Sequence, residues 1–431
     1  MRQTVHGTGR LEGRLELPPD KSISHRAAMF AALAEGTSRV QNFSDADDPQ
    51  STLSCLKQLG VNIQMEGDLL RIDGVGRNGF TAPERDLDCG NSGTTMRLMS
   101  GILAGAGVAS RLVGDSSLSR RTMRRVIEPL REMGGEIDGR DGEFAPLVIG
   151  SGRGIRGIRY PLPIASAQLK SAVLLAGLFG EKPTEVVETV PSRDHTERLL
   201  GLPVEDMDGK RMIRSSLEHP VPLQQYRVPG DFSAAAFWLV AGAVHPDAEI
   251  HLSGAGINPT RIAALHVLQE MGADIEIREM ESKGPEPVAE ITVRSSSLKA
   301  VRLDPSLIPN CIDELPVLMV AMAFAEGRSE ITGAAELRYK ETDRLTAMES
   351  LLAAAGERFE QRDDGIVIQG RGTHQPDIAE FESEHDHRIA MAAGVISLMA
   401  DGASVVRNAE SASISYPQFW EDLQKLSKSS S

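Results

Sequence analysis

Cysteine is scarce: Cys55, Cys89 and Cys311 are the three in 431 residues. They are too few and too scattered for a disulfide framework or a structural zinc site, which suits a reducing, cytoplasmic setting. Aromatic side chains make up only 4%, leaving little material for base-stacking platforms. Small apolar residues must therefore fill the core. The longest apolar run, Ile389 to Ala400, falls short of the ~20 residues that a membrane span needs, and the N-terminus MRQTVHGTGRLEGRLELPPDK has no apolar segment of an export signal. Neither membrane nor export is expected. Basic charge is also in deficit, 46 Lys and Arg against 61 Asp and Glu, for a net charge of −15. Such a chain is poorly suited to holding nucleic acid along an extended surface, yet it can hold a small anion in a local basic pocket.

Nucleotide and metal motifs are missing too. No G-x-x-x-x-G-K-[ST] occurs, and the two G-x-G-x-x-G matches, Gly74 to Gly79 and Gly152 to Gly157, open no apolar helix after a strand. His385, Asp386 and His387 lack a third ligand at a diagnostic spacing, so no metal and no cofactor is expected. Cys89 has no identifiable base nearby in sequence and reads as a small buried thiol.

What is present is a repeat. At roughly 100 to 200 residues per domain the length predicts two or three domains. One apolar segment type recurs six times, ending in a small turn and a β-branched strand: SHRAAMFAALAEGTSRV, SGTTMRLMSGILAGAGVASRLV, SAQLKSAVLLAGLFG, DFSAAAFWLVAGAVHPDAEIHL, DELPVLMVAMAFAEGRSEI and DHRIAMAAGVISLMADGASVV. The copies start near Ser24, Ser92, Ser166, Asp231, Asp313 and Asp386. A second element alternates with them, a helix closing on a glycine signal and then two strands joined by a polar turn, as in LKQLGVNIQMEGDLLRI and LQEMGADIEIREM. Each unit thus reads as βαβαββ. Solenoid repeats are usually shorter, roughly 20 to 47 residues, so two globular α/β domains of three units each is the simpler architecture. The midpoint falls near EHPVPLQQYRVPGDFS, where prolines and a turn signal suggest a crossing.

Polar residues gather at the start of each repeated helix. Ser, Thr, Asn and Asp there are ordinary N-caps. Capping does not account for Arg26, Arg97, Lys170 and Arg388, cations set against the positive end of the helix dipole at a cost of ~0.3 to 1 kcal/mol each unless an anion compensates. In ELRYKETDRL, Lys340 and Arg344 would share a helix face as a two-cation clamp with a carboxylate beside it. GDSSLSRRTMRRV adds Arg120, Arg121, Arg124 and Arg125, which read by default as a solvated basic helix.

Taken in order, LPPDKSISHRAAMFAALAEG, DCGNSGTTMRLMSG, PIASAQLKSAVLLAGL, YKETDRL and DHRIAMAAG closely resemble the EPSP synthase family across nearly the whole chain. The resemblance implies an inside-out α/β barrel in each of two domains, with the six buried helices directing their N-termini at an interdomain cleft. Residues 20–226 would form one domain and 1–19 with 227–431 the other, crossing near 15–20 and 226–231. It further implies transfer of the enolpyruvyl group of phosphoenolpyruvate to the 5-hydroxyl of shikimate 3-phosphate by a cytoplasmic monomer.

Carried over position by position, Lys21, Ser22, Arg26, Ser166, Gln168, Asp313 and Lys340 would contact shikimate 3-phosphate. Lys21, Gly93, Arg121, Gln168, Arg344 and Arg388 would contact phosphoenolpyruvate. Asp313 would act as base and Glu341 as proton donor and acceptor at carbon, assisted by Lys21 and His387. Two positions depart from relatives: Ala167 stands where some have a second serine, and Ile414 where some have a lysine. The sister transferase acting on UDP-N-acetylglucosamine is disfavoured, because Lys21-Ser22-x-x-x-Arg26 and LRYKETDRL follow the shikimate pattern and no cysteine lies at 115 to 125. A scaffold without catalysis is disfavoured because every expected cleft group except the one at Ile414 is present. The tail KLSKSSS carries no fold signal.

Overall fold

A computed structural model describes residues 1–152, 154–282 and 284–428. The chain divides into two compact units. The first comprises Pro19–Val228 with the short return Lys283–Glu286; the second comprises Met1–Pro18, Pro229–Ser282 and Pro287–Ser431.

In the first unit three helices occupy the centre: α1 (Lys21–Leu33), α2 (Gly93–Ala106) and α3 (Ala167–Gly177). Each is buried along most of its length because its sequence offers small apolar side chains on every face rather than on one stripe. Small residues also allow close approach. A Cβ on Gly101 of α2 would sit 2.3 Å from the Ala172 carbonyl oxygen of α3, so the two backbones pack at a distance only glycine permits. A shorter helix, α4 (His195–Leu200), follows. Around these lie three four-stranded sheets, each beginning with a parallel pair and continuing antiparallel, as a βαβ crossover followed by a hairpin requires.

The second unit repeats the plan with α5 (Phe232–Val244), α6 (Leu315–Ala323), α7 (Arg344–Ala354) and α8 (His387–Ser397). Here α5, α6 and α8 are buried throughout. Trp238 stacks on Phe419, with ring centroids 5.0 Å apart, so one of the few large aromatic clusters sits where the final helix, Phe419–Ser427, closes the core.

The repeats are less uniform than βαβαββ throughout. The strand before α1, Leu11–Glu16, pairs in parallel with Ala248–Gly256 of the second unit, while Gln225–Arg227, just before α5, pairs in parallel with Glu35–Gln41 of the first. The fourth and first repeats have exchanged their opening strands. The fifth repeat opens with isolated bridges at Lys299 and Arg302 instead of a strand. The sixth has no terminal hairpin, and Arg2–His6 completes its sheet against Ala403–Arg407.

Helix starts also shift. The first helix begins at Lys21 under an Asp20 cap, not near Ser24, and the fifth begins at Leu315 after a separate turn, Ile308–Cys311. The tail residues 429–431 lie outside the described residues, but Lys425 to Ser427 are helical. Among the described residues no single helix is long and apolar enough to cross a membrane.

Candidate active site

Capping is real at the repeated helices. Asp20, Ser92, Ser166, Asp231 and Asp386 each accept a backbone N–H of the following turn through a side-chain oxygen, at 2.7 to 3.4 Å. The cations beyond them meet different fates.

In the first unit, Lys21 opens α1 and pairs with Asp48 at 3.0 Å. One turn on, Arg26 is 3% exposed. It donates to the hydroxyls of Thr196 at 2.8 Å and Ser171 at 2.9 Å and to the Ser22 carbonyl at 3.0 Å. Burial pulls its guanidinium down to about 10, against the carboxylates of Glu197 and Asp20, while neighbouring Arg193 pushes it further down. Arg193 thus brings a second cation to Arg26; sequence reading passed over it, although Ser-Arg-Asp-His immediately before a helix was a usable signal. Lys170 does not await an external anion. It is fully buried and paired with Glu188 at 3.0 Å and Glu197 at 2.6 Å, so the compensation comes from the protein itself.

Gly93 lies at the start of α2 beneath two guanidinium groups. A Cβ there would come 2.7 Å from Arg97 Nη1 and 3.7 Å from Arg121 Nη1. Arg97 donates to Gln168 Oε1 at 2.6 Å, and Gln168 donates to Thr94 at 2.9 Å. Arg121 donates to Asn91 Oδ1 at 2.6 Å. The four arginines do not form a solvated helix: Arg120 ends a 3₁₀ turn, Arg121 is extended and half-buried, and the helix runs only from Arg124 to Glu132. Cys89 is a buried thiol, pushed up by neighbouring Cys55 and by burial.

The second unit holds a tighter cluster. Arg344 is the first residue of α7 and shares no helix face with Lys340, four positions earlier, which is extended. It is 1% exposed and donates to Asp386 Oδ2 at 2.8 Å, Glu341 Oε2 at 2.7 Å and Asp313 Oδ1 at 3.3 Å. Burial alone would lower its pKa, but Asp386, Glu341 and Asp313 outweigh it and raise it. Lys340 Nζ stands 4.0 Å from Asp313. Burial lowers the Lys340 ammonium, with Asp313 opposing and Arg344 reinforcing. The two cations therefore meet at Asp313 although no helix face joins them.

Arg388 and His387 open α8, 5% and 2% exposed. The Arg388 guanidinium lies 6.0 Å from the Phe237 ring centroid. Its Nε is buried without a hydrogen-bond partner, and no ion pair engages it among the described residues. A buried cation without a counter-charge is costly.

A third cluster forms around Arg261, which sequence reading passed over although its partners Asp231, Ser233 and Glu314 stand at repeated helix starts. Arg261 is 3% exposed and donates to Glu314 at 2.8 Å, to Asp231 at 3.3 Å and to Ser233, tying the start of α5 to that of α6. Ser233 also donates to Glu314.

Two units of repeated α/β architecture, with basic and acidic side chains concentrated at helix starts, define the class of fold. An EPSP synthase from Acinetobacter baumannii superposes with a TM-score of 0.87 at 39% identity, covering 99% of this chain and 98% of that one. The enolpyruvyl transferase NikO from Streptomyces tendae shares the fold at a TM-score of 0.77 and 18% identity. Residues 5–423 match the family described as EPSP synthase (3-phosphoshikimate 1-carboxyvinyltransferase). Proteins named 3-phosphoshikimate 1-carboxyvinyltransferase from Salinibacter ruber and Herpetosiphon aurantiacus are 51% and 48% identical, over 100% and 99% of both chains. The chain belongs to the EPSP synthase family, and it is an enzyme of that class.

Proposed function

We propose that the helix-start clusters carry out enolpyruvyl transfer from phosphoenolpyruvate to the 5-hydroxyl of shikimate 3-phosphate, with release of phosphate. Family membership supports the substrates; the observation that carries the site assignment is Arg388, a buried guanidinium without a counter-anion among the described residues, at the N-terminus of α8. A carboxylate or phosphate of the substrate supplies what it lacks, aided by the free N–H groups of the helix end.

In this reading Lys21, Ser22, Arg26, Ser166 and Gln168 contact shikimate 3-phosphate, and Asp313 and Lys340 take its ring hydroxyls. Lys21, Gly93, Arg121, Gln168, Arg344 and Arg388 serve phosphoenolpyruvate. Asp313 accepts the hydroxyl proton as oxygen adds to C2, and Glu341 delivers a proton to C3. The tetrahedral intermediate then expels phosphate from C2 while Glu341 takes a proton back from C3, restoring the double bond. Lys21 and His387 stabilise the departing phosphate, which takes up the proton that Asp313 accepted from the hydroxyl, so that both carboxyl groups return to their starting states. Each such proton transfer is worth about 10² to 10⁴ in rate. The enzyme acts as a cytoplasmic monomer, with no nucleic-acid partner.

Titration of phosphoenolpyruvate dependence in Arg388→Gln tests the assignment. The expected result is a rise of about 100-fold in KM for phosphoenolpyruvate with thermal stability kept, a loss in line with charge-assisted anion contacts. An unchanged KM would overturn it.

A further inference from the structure

The hairpin of Asp274–Met280 and Val288–Arg294 belongs to the second unit, yet the connection between its strands contributes Lys283–Glu286 to the first. Gly284 lies against Tyr226, where an added Cβ would come 2.9 Å from Tyr226 Cβ. The next charged residue, Glu286, is 3% exposed. Its carboxylate bonds His195 Nδ1 at 2.8 Å. His195 is itself 1% exposed, and its Nε2 has no partner among the described residues. Glu286 is thus the one hydrogen-bond anchor of that imidazole among the described residues.

His195 opens α4, and the residue after it, Thr196, is the hydroxyl that accepts Arg26 Nε. Thr196 also bonds Ser171, the second hydroxyl under Arg26. The segment is gripped from another side by Lys170, which bonds Glu197, Glu188 and the Ser192 carbonyl. Glu286 is also among the carboxylates whose field favours the charged form of Arg26. A buried carboxylate near a phosphate-binding arginine would repel the ligand if it had no other task. Here it bonds the first residue of α4, next to the hydroxyl that receives Arg26.

We propose that Glu286, borne by the hairpin connection, is a positioning residue for the acceptor-phosphate contact at Arg26, acting through His195 and Thr196. The proposal rests on the enolpyruvyl-transfer reading, in which Arg26 meets the phosphate of shikimate 3-phosphate. A positioning bond of this kind predicts a substrate-specific defect that a conservative amide repairs. A merely structural carboxylate predicts a general loss of activity and stability.

The experiment compares Glu286→Ala and Glu286→Gln with the wild-type enzyme in phosphate-release kinetics and thermal unfolding. Glu286→Ala is expected to raise KM for shikimate 3-phosphate about tenfold, with kcat and KM for phosphoenolpyruvate within about twofold. Glu286→Gln, which keeps an oxygen for Nδ1–H, is expected to restore KM to within about threefold of wild type. An unchanged KM in Glu286→Ala, or a joint fall of kcat, both affinities and stability in the two variants, overturns the proposal. If Glu286→Ala does not fold, hydrogen exchange of the wild-type enzyme decides. Shikimate 3-phosphate alone should slow exchange at 192–198 and at 280–288 together; slowing confined to 192–198 overturns it. A wild-type enzyme inactive with shikimate 3-phosphate removes the functional reading and this inference with it. An active wild type with unaltered Glu286→Ala kinetics removes the inference alone.

Discussion

Arg344 Nε and Asp386 Oδ2 lie 2.8 Å apart across 42 positions of chain, in side chains 1% and 0% exposed. Asp386 also caps α8 through the Arg388 N–H. The pair therefore joins the first turns of α7 and α8. Arg344→Gln leaves the Asp386 carboxylate buried without its cation, a change worth about 3 to 5 kcal/mol. The expected outcome is a marked fall in the chemical-denaturation midpoint as well as loss of activity, in contrast to Arg388→Gln. Equal stability of the two variants would contradict the pairing argument.

Asp313 and Glu341 both touch Arg344, but their proposed tasks differ and can be separated. Asp313→Asn and Glu341→Gln should each lower kcat by about 100-fold or more while the protein stays folded. In deuterated water the wild-type enzyme should place deuterium at C3 of the enolpyruvyl group. Glu341→Gln should abolish that incorporation, and retained exchange would remove Glu341 from the role.

Gly93 has little room for a side chain. Alanine there suits a helix start, so its cost falls on Arg97, whose Nη1 must yield from 2.7 Å and release Gln168. Gly93→Ala is expected to raise KM for phosphoenolpyruvate about tenfold with kcat largely retained, measured by steady-state kinetics. Restoration of the KM by adding Arg97→Ala would identify the clash as the cause.

Away from these clusters, His374 stacks on Phe324 with centroids 4.6 Å apart and bonds Glu357 at 2.6 Å. Burial lowers its pKa, but the Glu357 and Gly372 bonds outweigh that and raise it above the ordinary value. A histidine raised on folding contributes stability that is complete below about pH 6.5, its unfolded value, and is lost as pH rises through the folded value. Thermal unfolding of wild type should therefore weaken across the range just above pH 6.5 relative to His374→Gln. Parallel pH profiles would count against the effect.

The six buried helices were legible because helices buried on all sides need small apolar residues everywhere, a pattern that stands out in any window. The caps Ser92, Ser166, Asp231 and Asp386 were legible from residue type, whereas Asp20 was not and the fifth helix has no side-chain cap. The family resemblance set 1–19 with the second domain, but the strands that Leu11–Glu16, Gln225–Arg227 and Arg2–His6 pair with were not legible. Strand pairing across hundreds of residues leaves no local trace. Lys170 was read as awaiting an anion because Glu188 and Glu197 lie 18 and 27 positions away, and nothing in their neighbourhood marks them as its partners. Arg388 was legible only as a cation set against a helix dipole; its burial without an ion pair among the described residues shows in the fold alone.

The most direct measurement is phosphate release by the purified enzyme with phosphoenolpyruvate, comparing shikimate 3-phosphate with UDP-N-acetylglucosamine as acceptor. The account predicts release with shikimate 3-phosphate alone. Release with the nucleotide sugar alone, or with neither acceptor, would contradict it.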